Sequence, residues 1–355
     1  MAADLLGDRH RRHGRTRFDT LRRVTIPAGR RLALLVVLLA AAAAAGCGDN
    51  ESTGPGAKAP RVQLALDFTA NAVHAPIFAA VRAGDDRAHG VRLTIRRPGA
   101  GPDALKLVAS GRLDLGVLDI HDLAIARERG IDVVGVAALV RRPLAALVAR
   151  PSIRRPRDLE GHDVGVSGLP SDPAFLDAII AHDGGDLARV HQVTIGFNAV
   201  SAILAGKIDA APVFWNAEGV ALRRHGVPIR EFRVEDYGAP PYPEVLLVTS
   251  GRTLRREPDR IQRTLLAIRD GIRTVEKDPD AVVRQIAHEA QTRDIGLIAA
   301  QLRAVGPIFA DDLRLDRRVL EQWADFDARI GIVEQRPDVG RTFAFGLLAE
   351  SSHRA

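Results

Sequence analysis

The chain has one cysteine, one methionine, two tryptophans and two tyrosines in 355 residues, and aromatic side chains make up only 4% of it. A single cysteine excludes a disulfide scaffold, a cysteine-based zinc site and any C-x-x-C redox centre. No G-x-S-x-G, H-E-x-x-H or phosphate-loop pattern occurs, so the residues those chemistries need are missing. A concentrated basic face is missing too. The net charge is +6, but the first 46 residues hold nine Arg against three acids, a surplus equal to the whole. The remainder is electrically balanced, and nucleic acid, which rewards clustered cations through counterion release, is not expected as a partner. With 46% hydrophobic and 26% charged residues, the composition is that of a globular chain of about two domains.

The leader explains the charge. Residues 9 to 31 are Arg-rich, and Leu32 to Ala45 form an unbroken apolar run of 14 residues. As a helix that run reaches about 21 Å, short of the roughly 30 Å hydrocarbon core. It fits the apolar region of an export signal. Ala44, Ala45 and Gly46 directly before Cys47 resemble a bacterial lipobox, which implies cleavage there and a lipid on Cys47. Residues 1–46 are therefore read as the signal, and 47–60, which lack apolar periodicity, as a flexible tether. The folded part is expected on the extracytoplasmic face of the bacterial cytoplasmic membrane, lipid-anchored. Arg30-Arg31 leaves both the general and the twin-arginine export routes open.

From Arg61 onward, short apolar runs of strand length alternate with amphipathic stretches. Runs 62–67, 91–95, 113–118 and 133–139 predict strands, with helices starting near His74, Pro102 and Ile120. Another extended run, 144–149, is followed by a polar, proline-containing break. A second set repeats the pattern: strands over 163–167, 190–195, 210–214 and 229–234, with helices after Ser171, Ala199 and Asn216. Run 244–249 mirrors 144–149, and beyond Pro258 the pattern is mainly helical. Gly206-Lys207-Ile208-Asp209 echoes Gly111-Arg112-Leu113-Asp114. The alternation predicts an α/β protein of two similar lobes, each a mostly parallel sheet flanked by helices. Lobe I is placed at 61–149 plus 245–345 and lobe II at 150–244, with the two crossovers as hinge.

An export signal, a lipobox, a tether and two α/β lobes joined by two crossovers resemble a solute-binding protein of an ABC importer, with the two-lobe periplasmic-binding-protein type II fold. More narrowly, Leu64 to Ala80 (L-A-L-D-F-T-A-N-A-V-H-A-P-I-F-A-A), Gly206 to Gly219 (G-K-I-D-A-A-P-V-F-W-N-A-E-G) and Gly168 to Asp177 are similar to the thiamine-pyrimidine-precursor-binding family, whose fold is shared by fungal thiamine-pyrimidine synthases. Phe68 and Ala70 stand where that family usually has Trp and Pro. The resemblance implies capture of an amine-bearing heterocycle for permease subunits by a monomeric, non-enzymatic binder. Another heterocycle such as a flavin, or an aliphatic sulfonate, is the alternative ligand. The synthases use pyridoxal phosphate on a lysine and a cysteine-rich motif. The first motif here has no lysine and the chain's one cysteine is in the leader, so neither synthase activity nor any cofactor is expected.

In such sheets the ligand crevice lies beyond the carboxyl ends of the strands. The segments there carry Asp67, Asp119, Asp122, Asp172, Glu218, Asp236 and Glu244, with His74 and His121, and no Lys or Arg, which suits a cationic or amine-bearing solute better than an anion. Asp122 and Asp172 read as helix caps. Trp215, Tyr237 and Tyr242 fall within 28 residues and, with Phe68, could sandwich a flat ring, although Trp215 could equally plug the core. Glu218, three residues beyond Trp215, could accept two N–H bonds from an aminopyrimidine edge. Asn71, His74, Asp119, Ser171, Asn198 and Asn216 complete the expected contacts. No metal site is expected: Asp119 and His121 are nearly adjacent at a strand end, where side chains diverge.

Overall fold

The computed structural model describes residues 59–97 and 103–348, so the expected signal, Cys47 and nearly all of the tether lie outside the described residues. Ten strands form where the apolar runs fall: β1 Arg61–Ala65, β2 Arg92–Arg96, β3 Leu115–Asp119, β4 Val134–Ala138, β5 Ala145–Ala149, β6 Asp163–Val166, β7 His191–Thr194, β8 Ala210–Phe214, β9 Arg230–Arg233 and β10 Val245–Thr249. They build two five-stranded sheets, ordered β2-β1-β3-β10-β4 and β7-β6-β8-β5-β9. Both sheets are mostly parallel. The exception in each is its fourth strand, β10 in one and β5 in the other, which runs antiparallel to both neighbours.

This exchange of strands corrects the expected lobe boundary. Ala145–Ala149, assigned from sequence to lobe I, is the strand of the second sheet that pairs with β8 and β9. The second lobe therefore takes over within residues 139–145, ahead of the proline-containing break. Every residue of β5 is buried, so its pattern names no face and no sheet.

The repeated Gly-basic-apolar-Asp segment has a structural meaning. Gly111 and Gly206 both take left-handed backbone, at φ +73° and +71°, which a glycine adopts without steric cost and which ends the preceding helix. Asp114 then accepts the Gln63 N–H at 2.8 Å while donating its own N–H to the Gln63 carbonyl at 3.1 Å. Asp209 does the same with Asp163, at 3.3 and 2.8 Å. Each Asp thus pins two neighbouring parallel strands, β3 to β1 in one sheet and β8 to β6 in the other.

Helices cover the sheets. The longest, Pro258–Lys277, begins with proline and buries Ile261, Leu265, Ile268, Ile272 and Val275 along one stripe. It crosses the helix Ala75–Ala83, which follows β1, at Gly271, where a Cβ would run into the Pro76 carbonyl and the Ala80 amide. Helix Arg317–Arg329, capped by Asp316, buries Trp323, Phe326 and Asp327. No helix among the described residues is long and apolar enough to cross a membrane.

Candidate functional site

The loop after β1 organises itself around one carboxylate. Asn71 caps the short turn Ala72–His74: its side-chain oxygen accepts the Val73 N–H at 2.9 Å, and its amide nitrogen donates to the Thr69 carbonyl. His74 is fully buried, and its Nδ1 accepts the Asn71 N–H at 3.3 Å. That hydrogen bond assigns the proton to Nε2, which donates to Asp67 Oδ1 at 2.8 Å. Asn71 and His74, expected to touch ligand, spend these polar atoms holding the loop and aiming Asp67, whose side chain keeps 17% exposure.

Trp215, Asn216 and Glu218 follow β8 in the other lobe. Trp215 is 7% exposed, donates Nε1–H to the Pro143 carbonyl at 3.1 Å and carries the Arg233 guanidinium 4.1 Å from its ring centroid. It plugs the core and lies under a cation. Asn216 is fully buried, yet neither its side-chain oxygen nor its nitrogen has a hydrogen-bond partner. Glu218 opens the helix Glu218–Arg224 and accepts the Phe214 N–H at 3.2 Å. Burial raises its pKa, backbone N–H groups oppose the rise, and the negative charge of Asp67 adds to it. Carboxylates of opposite lobes therefore share one field.

Besides the Gln301–Ala217 and Arg224–Asp294 contacts, two further contacts bridge the lobes beside these carboxylates. Phe68 meets Phe197 edge to face, with centroids 4.9 Å apart, and Ser171 Oγ donates to Asp122 Oδ1 at 3.3 Å. Burial lifts the Asp122 pKa to about 6; His121 and Ser171 oppose the rise, and Asp172 and Asp67 add to it. Asp172, expected to cap the following helix, does not: it is the first residue of Asp172–His182, and it accepts instead from Ser167 Oγ and the Gly168 and Leu169 N–H groups of the preceding loop, which it orders. Asn198 is exposed and donates to the Ile195 carbonyl. Phe197 and Asp122 are absent from the contacts expected from sequence. A signal for Asp122 existed: a helix start needs one cap, and Asp119 supplies it by accepting the His121 and Asp122 N–H groups.

The expected aromatic sandwich does not form. Tyr237 lines a hollow of about 440 Å³ with His182, Phe326 and Arg329, and its ring meets those of His182 and Phe232. Tyr242 is fully buried against Phe326, its hydroxyl 3.0 Å from His121 Nε2. Nearness in sequence misled here because Tyr237 ends a short helix, Val234–Tyr237, packed beside β9, whereas Tyr242 lies beyond it in the irregular chain leading to β10.

That crossover carries a buried ionic cluster. Glu244, fully buried, accepts the N–H groups of Leu144 and Ala145 at 2.8 and 3.1 Å, which ties the two crossovers together. His121 donates to Asp327 at 2.8 Å and lies 3.6 Å from Glu244. Burial alone would lower its pKa, but Asp327, with Asp119 and Glu244, overcomes it and holds the imidazole protonated, to about 10. Burial and the charge of Glu244 push Asp119 well up. Asp119, His121 and Glu244 bring ligand-type atoms within 4.8 Å of one another. This corrects the expected divergence of side chains at the end of β3: Glu244, distant in sequence, completes a triad whose cation here is the imidazolium.

Residues 71–282 match the family described as NMT1/THI5 like. The chain belongs to that family. Relatives include the formylaminopyrimidine-binding protein of Halalkalibacterium halodurans, 28% identical over 75% of this chain and 81% of that protein. The 4-amino-5-hydroxymethyl-2-methylpyrimidine phosphate synthase of Schizosaccharomyces pombe is 24% identical over 78% and 83%. Among solved structures, the alkanesulfonate-binding protein SsuA of Xanthomonas axonopodis pv. citri bound to MOPS superposes with a TM-score of 0.66 at 17% identity, covering 82% of this chain and all of that one. At that identity the likeness establishes the two-lobe fold.

Proposed function

We propose that this protein is an extracytoplasmic solute-binding lipoprotein that captures an aminopyrimidine, a thiamine-pyrimidine precursor, and delivers it to the permease subunits of an ABC importer. Asn216 carries the reading. An unpartnered buried amide costs about 1–3 kcal/mol, and a heterocycle that offers a ring nitrogen and an exocyclic amine side by side satisfies both its donor and its acceptor. Glu218, two residues on, supplies an acceptor for the same edge. The family's pyrimidine-binding member supports the ligand class.

A sulfonate fits less well. The cations near this end of the sheet are committed: Arg233 to the face of Trp215 and to Glu231 at 2.8 Å, and Arg223 to Glu231 and to the Trp215 carbonyl at 3.1 Å. Synthase activity is disfavoured by a first motif without lysine and by a chain whose one cysteine stands at position 47. That cysteine is the proposed lipid anchor. Titration calorimetry of the purified protein with 4-amino-5-hydroxymethyl-2-methylpyrimidine and, separately, with an aliphatic sulfonate tests the assignment. Heat of saturable binding is expected from the first; binding of the sulfonate alone would overturn it.

A further inference from the structure

Acidic side chains in this protein are habitually matched by arginine. Asp114 pairs with Arg260, Asp183 with Arg155, Glu231 with Arg223 and Arg233, and Asp270 with Arg273. The cleft departs from that habit. Asp67 and Asp122 of one lobe and Asp172 and Glu218 of the other are linked: Asp122 bonds Ser171, next to Asp172, and the charge of Asp67 bears on both Asp122 and Glu218. Among the described residues none of the four has a Lys or Arg partner. Asp67 has only the neutral His74, bound through Oδ1, and Asp122 only the Ser171 hydroxyl, also through Oδ1. Their Oδ2 atoms accept no hydrogen bond from the described residues. The positive charge that bears on Asp122 is that of His121, which is engaged by Asp327 and Tyr242. Asn216, buried with both polar atoms unpartnered, is the independent sign that a ligand completes this cleft.

We infer that the ligand carries a protonated primary amine, held between Asp67 of the first lobe and Asp122 beside the interlobe contact, while Asn216 and Glu218 read the heterocycle. This rests on the pyrimidine reading and sharpens it, because it separates a free aminomethyl arm from its neutral formyl amide. A cation bridging two carboxylates removes their mutual repulsion and offers N–H donors to oxygens that lack them; an amide removes no charge. Asp122 becomes a specificity-determining residue. The groups that face it are His121 and Asp119 on its own element, Ser171 and Asp172 from the second lobe and Asp67 from the loop after β1.

The test is calorimetry of the purified wild-type protein at about pH 7.5 with three probes that share one aminopyrimidine ring and differ in the arm: aminomethyl, N-formylaminomethyl and hydroxymethyl. The amine is expected to bind about tenfold or more tighter than either neutral probe. Asp122→Asn should narrow the amine-to-amide ratio, and so should lowering the pH below about 6, where Asp122 takes up a proton. If the amide or the alcohol binds as tightly as the amine, the inference fails and the pyrimidine reading stands. If none of the three binds, both fail.

Discussion

Glu218 and Asp67 belong to different lobes, the charge of Asp67 bears on Glu218, and what each does follows from its neighbours. His74 and Asn71 fix Asp67 in one orientation, whereas Glu218 has backbone N–H support and a raised pKa. Glu218→Gln keeps the shape and replaces one acceptor oxygen with a donor. It is expected to weaken aminopyrimidine binding by about tenfold or more while the ligand-free melting temperature barely moves; equal affinity in calorimetry would return Glu218 to a plain helix-start role. His121 makes a pH prediction. Its unfolded pKa is 6.5 and its folded value about 10, so its stabilisation is complete below about 6.5 and is lost as pH rises toward 10. The gap in unfolding midpoint between the wild type and His121→Gln should be widest near pH 6 and should close with rising pH. A gap that widens would mean the buried imidazole is neutral. Residue types in the cleft were legible in the sequence, but their division of labour was not: Asn71 and Asn216 are the same amide, one spent on a turn and one left unpartnered, and only the surrounding backbone decides which.

At the scale of elements, each expected strand run overlaps an observed strand to within a residue or two, because apolar runs of that length bounded by polar turns have few other ways to bury themselves. The paired Asp114 and Asp209 turns were legible as a repeat, and they pin equivalent strands in the two sheets. The expected break at 150 failed, since β5 is buried throughout and its partners lie 60 and more residues further along the chain. Packing between helices is equally silent in sequence. Gly271 looks like a weak point in a long helix, yet it is where that helix meets the Pro76 carbonyl. Gly271→Ala, which ordinarily strengthens a helix, is expected to destabilise the protein by about 1–3 kcal/mol through overpacking. Denaturant unfolding measures it, and a stabilised variant would show that the two helices can part without cost.

For the whole molecule, the expectation is a body tethered by lipid at the extracytoplasmic membrane surface. One acyl chain gives only marginal retention, so two or more are required for stable anchoring. Cys47→Ser is expected to release the protein from membranes or to leave an unprocessed precursor, read by cell fractionation and intact mass. Normal processing with full membrane retention would remove Cys47 from the anchor. At the crossovers, Glu244 joins the backbones of both connecting segments, and His121 holds Asp327 and Glu244 together.

The sequence alone determined the leader pattern, the α/β class, the two repeated lobes and the family motifs, because these depend on local periodicity and on short runs of fixed residue types. Only the tertiary structure decided which sheet receives β5, that Tyr242 joins the buried His121 cluster and Tyr237 a separate hollow, and that the charge of Asp67 bears on both Asp122 and Glu218. Each of these is a contact between segments far apart in the chain, and charge, burial and hydrogen-bond satisfaction acquire values only once those segments meet.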